Sequence, residues 1–214
     1  MNWSYRLGWI FFRTLFATYL PCRFYHGERV PTRGPVILAS NHASFIDPPL
    51  VGAGFHRMVN YLARDTLFDV PILAAMLRSW KVVPVDRDGG GGAGLKAIIE
   101  RLLAGGVILL FPEGTRTRDG RLQPGKAGVG LTVIKSSAPV VPVRVFGTFE
   151  AYGRHLKFPR PRRLTVKYGH PLDFTQLRSE AASCSKPRLK EIYQEVAEEI
   201  MRAIAQLEPR RDEA

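Results

Sequence analysis

The sequence predicts an α/β fold, a central and mostly parallel sheet flanked by helices, with an N-terminal amphipathic helical segment ahead of it. Two observations carry the prediction. Short apolar runs bounded by turn residues recur along the chain, VILAS (36–40) and VILLF (107–111) being the clearest, and such runs read as buried strands. Between them lie stretches with helical periodicity, and strands alternating with helices build parallel sheets.

Taken in order, residues 1–27 are rich in Trp, Phe, Tyr and Leu. Arg6, Arg13 and Arg23 interrupt them, so no uncharged run reaches the roughly 20 residues of a bilayer-spanning helix. No small-residue cleavage site marks a signal peptide. Aromatics with interspersed arginines describe a helix lying in a membrane interface, the alternative being a helix packed on the protein's own core. Residues 36–40 follow as a strand between Pro35 and Asn41. Pro48-Pro49 opens a helix to about Phe55, because proline is accepted in a first turn. VNYLARDTLF (59–68) is a strand and a turn, PILAAMLRSW (71–80) a helix, KVVPVDR (81–87) a strand, and the glycine tract 89–94 a loop.

LKAIIERLLAGG (95–106) is a helix stopped by glycines, and 107–111 is the next strand. KAGVGLTVIKSS is a helix, VVPVRVFG a strand, RLTVKYG (163–169) a strand, and 186–207 a long amphipathic helix. The last residues, EPRRDEA, are expected to fray. The division is an interfacial segment over 1–27 and an α/β domain over 28–214 that includes the C-terminal helix.

A chain of 214 residues fits one domain. Lys+Arg number 31 against Asp+Glu 19, a formal net charge of +12, which favours nucleic acid, anionic lipid or phosphorylated small molecules. The chain has no recognised nucleic-acid motif and no aromatic-studded basic strand, so nucleic acid is not expected. Cys22 and Cys184 lack metal-knuckle or redox spacing, which points to a reducing compartment. RHLKFPRPRRLTVK (154–167) is a basic run with an apolar interleaf. It is either a solvated face or a contact for anionic headgroups or bases.

In open α/β sheets, ligands bind beyond the C-terminal ends of the strands. Three predicted strand ends carry reactive groups: Asn41-His42, FPEGTR (111–116) and Arg87. His42 and Asp47 are five residues apart, and a continuous helix would separate them by about 140°. They meet only if 41–46 turns and the helix begins after Asp47, which Pro48 favours. Asp47 is then an N-cap alone, or also the acceptor for one ring nitrogen of His42, leaving the other nitrogen as a base. Gly114 permits tight backbone geometry, and Arg116 has the fork that holds a phosphate. The plainer reading of that segment is a surface turn with a local ion pair.

Other templates fail. VVPVDRDGGGGAGLKA has the order of a phosphate loop, but Gly94 is followed by Leu95-Lys96-Ala97 rather than Lys and a hydroxyl residue. There is no G-x-S-x-G elbow and no H-E-x-x-H. The preferred site is metal-free and lacks a side-chain nucleophile. The simplest task for His42 and Asp47 is then to activate a hydroxyl of the substrate itself.

These residues match a family. NHASFID (41–47) resembles the NHx4D block of the glycerolipid acyltransferases of the 1-acyl-sn-glycerol-3-phosphate (lysophosphatidic acid) acyltransferase type. VPVDR (83–87) resembles their second block, FPEGTR is their third unchanged, and VVPV (140–143) resembles their fourth. The order matches over roughly residues 30–170. The resemblance implies that His42 is the general base and Asp47 its orienter. It implies that Arg87, Glu113, Gly114, Thr115 and Arg116 bind the acceptor's phosphate and glycerol, and that Pro142 is support near the acyl donor. The implied reaction moves an acyl group from acyl-CoA or acyl-carrier protein to the sn-2 hydroxyl of lysophosphatidic acid, giving phosphatidic acid. No covalent acyl-enzyme and no cofactor beyond that co-substrate is expected. Another lysolipid or glycerol 3-phosphate is an alternative acceptor. A non-catalytic basic module on membrane or nucleic acid is the alternative of another class. The expected location is peripheral or monotopic on an anionic membrane surface, at the cytoplasmic face of the cell membrane.

Overall fold

The structure, a computed structural model, describes residues 2–85, 92–210 and 212. Helix α1 (Trp3–Thr18) opens the chain, with the Asn2 side chain accepting from the Tyr5 amide at 2.9 Å. Strand β1 (Cys22–Tyr25) follows, inside the segment read as interfacial. Then come β2 (Val36–Ser40), α2 (Asp47–Ala53), β3 (Val59–Asn60), β4 (Leu62–Arg64), α3 (Pro71–Ser79) and β5 (Val83–Val85). The second half holds α4 (Gly92–Leu103), β6 (Val107–Leu110), α5 (Ala127–Ser136), β7 (Val140–Phe146), α6 (Thr148–Tyr152), β8 (Leu164–Tyr168), α7 (Thr175–Ala181) and α8 (Lys186–Gln206).

The main sheet has the order β1-β8-β7-β2-β6-β3. Only the β7–β8 pair is antiparallel, so the sheet is mostly parallel, as expected. The two-residue period of a strand sorts its residues into two cores. Val36, Leu38, Val107, Leu109, Val141 and Val143 face one cluster, with Phe16 of α1 and Leu50 and Val51 of α2. Ile37, Ala39, Ile108 and Val140 face the other, with Leu102 of α4, Val133 of α5 and Ile192, Val196 and Ile200 of α8. The result is three layers, helix–sheet–helix. Burying each of these branched side chains stabilises the fold by about 1.5–3 kcal/mol.

Three expectations are corrected. The strand in 59–68 breaks in two: Asn60 gives its side-chain amide to the Val107 carbonyl at 3.0 Å, and the chain leaves the main sheet there. β4 then pairs with β5 in a separate two-stranded parallel sheet. The KVVPVDR strand therefore ends outside the main sheet, and Arg87, with glycines 89–91, lies outside the described residues. α4 also starts earlier than expected, at Gly92. Finally, Asp212, within the stretch expected to fray, is held: its carboxylate meets Arg29 at 2.7 Å and His26 at 3.2 Å, while 211, 213 and 214 lie outside the described residues. The short helices α6 and α7 carry too few turns to show a periodicity in sequence.

Candidate active site

The site begins where β2 ends. Asn41 is buried, and its side chain brackets Val145 of β7, accepting from the amide at 2.8 Å and donating to the carbonyl at 3.2 Å. That clamp fixes the chain leaving the sheet. Residues 41–46 then turn, and α2 begins at Asp47 with two prolines in its first turn.

The turn folds the carboxylate back. Asp47 Oδ2 accepts from His42 Nδ1 at 2.8 Å and from the amides of Ala43 and Ser44, each at 2.7 Å. Asp47 is fully buried. It does not cap α2, as had been one reading: the residue preceding the helix is Ile46, and the carboxylate serves the turn before it. The physical reason is direction. Three N–H groups converge from the upstream loop, and a buried carboxylate takes charge-assisted donors wherever they lie. With Nδ1–H donating to Asp47, Nε2 is the acceptor nitrogen of the imidazole.

Two further groups position His42. Its ring stacks on Phe111 with centroids 3.8 Å apart and planes 13° from parallel. Its main chain is held at both ends by the FPEGTR segment and the residue after it. Glu113 Oε1 accepts from the His42 amide at 3.2 Å, and Thr117 N–H donates to the His42 carbonyl at 2.8 Å. Glu113 is 2 % exposed. Burial pushes its carboxyl up to about 7, the His42 amide pulls the other way, and the nearby Asp47 charge adds to the rise.

Gly114 has φ +70°, a left-handed conformation that favours glycine. That turn sends Thr115 and Arg116 toward the cavity, while Glu113 and Gly114 are not among its lining residues. The Arg116 guanidinium lies 3.4 Å from the centroid of the Phe45 ring, and Arg154 donates to Thr115 Oγ1 at 2.9 Å. Pro142 sits in β7 opposite Ala39, its carbonyl accepting from Gly169 N–H at 2.7 Å.

The cavity measures about 520 Å³, within the range of small-molecule sites. His42, Arg116 and Arg154 stand on its lining with Phe45. Its apolar wall comes from Trp9 and Phe12 of α1, Pro48 of α2, Leu77 of α3, and Trp80. Sequence reasoning had paired His42 with Asp47 and brought FPEGTR alongside, and the structure joins them. It assigned no role to Asn41, Phe45 or Phe111, although each lies inside a quoted motif. Arg154 sat in the basic run without a link to the site.

Among the described residues, no group of three or more His, Cys, Asp and Glu is arranged to hold a metal. No described helix is long and apolar enough to cross a membrane. Fold and site together define an α/β protein in which a buried carboxylate orients a histidine beside an apolar, arginine-bearing cavity. A family model described as Acyltransferase matches residues 22–146, more than half of the chain, and the chain belongs to that family.

Two curated relatives are named 1-acyl-sn-glycerol-3-phosphate acyltransferases. The chloroplastic protein of Brassica napus is 34 % identical over 125 residues, covering 56 % of this chain and 36 % of its own length. That of Bacillus subtilis is 28 % identical over 162 residues, covering 74 % and 78 %. The chain thus spans about a third of the plant relative and most of the bacterial one. Among solved structures, the fold is similar to PlsC, the 1-acyl-sn-glycerophosphate (LPA) acyltransferase of Thermotoga maritima. The TM-score is 0.73 at 23 % identity, covering 96 % of this chain and 81 % of that one.

Proposed function

We propose that the protein transfers a fatty acyl group from an acyl thioester to the sn-2 hydroxyl of 1-acyl-sn-glycerol 3-phosphate, yielding phosphatidic acid. The observation that carries this reading is the imidazole of His42, fixed through Nδ1 by Asp47 at 2.8 Å, on a cavity with apolar walls and the arginine of FPEGTR. The relatives named for this reaction support it.

His42 Nε2 takes the proton of the acceptor hydroxyl as the oxygen attacks the thioester carbonyl. Asp47 stabilises the imidazolium that forms. The tetrahedral adduct collapses with cleavage of the C–S bond, and the imidazolium returns its proton to the departing thiolate. No side chain is acylated in this scheme. Arg116, with Thr115 beside it, binds the acceptor's phosphate, and the same task is assigned to Arg87 from its motif. Glu113 acts through His42, whose amide it accepts. The apolar wall accommodates an acyl chain, the thioester is acyl-CoA or acyl-carrier protein, and the enzyme works at an anionic membrane surface on the cytoplasmic side.

The test is a panel of acceptors given to the purified protein with one labelled acyl-CoA and one acyl-carrier protein, the products read by mass spectrometry. Phosphatidic acid from lysophosphatidate is expected. A product formed only from a different lysolipid or from glycerol 3-phosphate would reassign the acceptor, and no acyl product from any pair would remove the enzymatic reading.

A further inference from the structure

We infer that residues 154–163, the loop between α6 and β8, form a second lipid-contact surface beside α1, and that their partner is an anionic bilayer. The inference deepens the proposed reading of a lipid enzyme and rests on it for the identity of the surface lipid, not for the geometry. The loop carries Arg154, Lys157, Arg160, Arg162 and Arg163 with no acidic residue among them. All five are exposed, and none forms an ion pair with a described residue. Among them Phe158 stands 79 % exposed. An exposed aromatic with cations before and after it in the same loop fits an interface where phosphates lie above hydrocarbon.

The loop is braced rather than loose. Arg160 N–H donates to the Ala151 carbonyl at 2.7 Å and Leu156 N–H to Gly153 at 3.1 Å. Pro159 and Pro161 restrict the backbone on either side of Arg160. Holding Phe158 outward therefore costs little ordering entropy on binding.

The bracing also joins the loop to α1. Tyr19 Oη donates to the Pro159 carbonyl at 3.1 Å, and Leu164 N–H to the Pro21 carbonyl at 2.8 Å. The outer side of α1 exposes Trp3, Leu7, Ile10 and Phe11, an apolar i, i+4, i+7, i+8 stripe. Arg154 from the loop and Trp9 and Phe12 from α1 line the same cavity. A bilayer meets both demands together, hydrocarbon for the stripe and Phe158, and phosphates for the arginines. An acidic carrier protein would satisfy the loop and leave the α1 stripe uncovered.

The experiment places a fluorophore at the loop tip of the full chain. Phe158→Cys in a Cys184→Ser background is labelled with an environment-sensitive dye. Burial pushes the thiol of the half-buried Cys22 up to about 12, and the Cys184→Ser protein without Phe158→Cys, labelled in parallel, reports any dye that Cys22 takes. The expected result is a blue shift on phosphatidylcholine vesicles containing phosphatidylglycerol, with quenching by brominated acyl chains. In the unlabelled protein, Arg160→Gln, Arg162→Gln and Arg163→Gln together should weaken binding to those vesicles by about 100-fold, roughly fivefold per arginine. Turnover of detergent-dispersed substrate should be unchanged. A dye that stays in water while the protein binds through α1 would overturn the inference. So would a shift produced by soluble acyl-carrier protein and not by vesicles. Insertion at position 158 in a protein that transfers no acyl group would sink the acyltransferase reading and leave the surface standing.

Discussion

Asp47 Oδ2 lies 2.8 Å from Nδ1 of His42, and the main chain of Ala43 and Ser44 holds it there with two bonds of 2.7 Å. One oxygen therefore sets the turn and the imidazole together. An amide at this position offers a single oxygen that must serve all three donors, and its NH₂ group is then left in a fully buried place. Asp47→Asn should cut the acyl-transfer rate by about 1,000-fold or more, the scale seen when a carboxylate behind a catalytic histidine becomes an amide. His42→Ala should abolish transfer and leave the circular dichroism spectrum and melting point close to wild type. Purified His42→Ala that retains near wild-type turnover would rule out the base.

Glu113 makes stability depend on pH. Its carboxyl is raised from 4.5 to about 7, chiefly by burial, so the native state binds the proton more tightly than the unfolded chain. A raised group contributes stability that is fully present below about 4.5 and is lost as pH rises through about 7. Denaturant unfolding of wild type and Glu113→Gln across that range isolates the contribution. The wild type should lose on the order of 3 kcal/mol relative to the variant between the two values. A difference that stays flat with pH would show that the carboxyl is ionised throughout.

Much of this site is legible in the sequence, because the groups that make it are local. His42 and Asp47 are joined by a turn that Pro48 delimits, and Gly114 needs its positive φ within its own motif. The layers are legible too, since β2 and β6 are continuous apolar runs. What sequence hides is the pairing of distant segments. Asn41 is bonded to Val145, 104 residues on, and nothing in either segment names the other. The pairing of β4 with β5, rather than with the main sheet, is likewise a contact between separate segments. Asp47 was misread as a helix cap because spacing places a residue relative to a helix but not the direction of its carboxylate.

Arg116 and Phe45 should be separable by kinetics. The guanidinium sits 3.4 Å over the ring, so the aromatic face positions the cation. Arg116→Ala should raise the acceptor's apparent KM about 10- to 100-fold, the worth of charge-assisted hydrogen bonds, with a smaller effect on the donor's. Phe45→Leu should act in the same direction and less strongly, since it removes the platform and leaves the charge. Equal effects on donor and acceptor would move Arg116 out of the acceptor site.

Gly130 offers a test of packing in which two principles oppose each other. It lies in α5, and inside a helix alanine is better than glycine by about 1 kcal/mol. Propensity alone therefore has Gly130→Ala stabilise the protein. In the structure, a Cβ at this position would run into the main-chain carbonyl of Tyr193 on α8. That obstacle is helix backbone, which has no rotamer to change, so α5 and α8 would have to move apart. Their contact includes Val129 and Val133 on one side and Ile192, Val196 and Ile200 on the other, and separation would loosen all of it. Overpacking of this kind costs about 1–3 kcal/mol. Gly130→Ala should therefore lower the denaturation midpoint, with Gly128→Ala, which meets nothing within 4 Å, unchanged or raised. A Gly130→Ala protein more stable than wild type would mean that α5 and α8 separate at little cost.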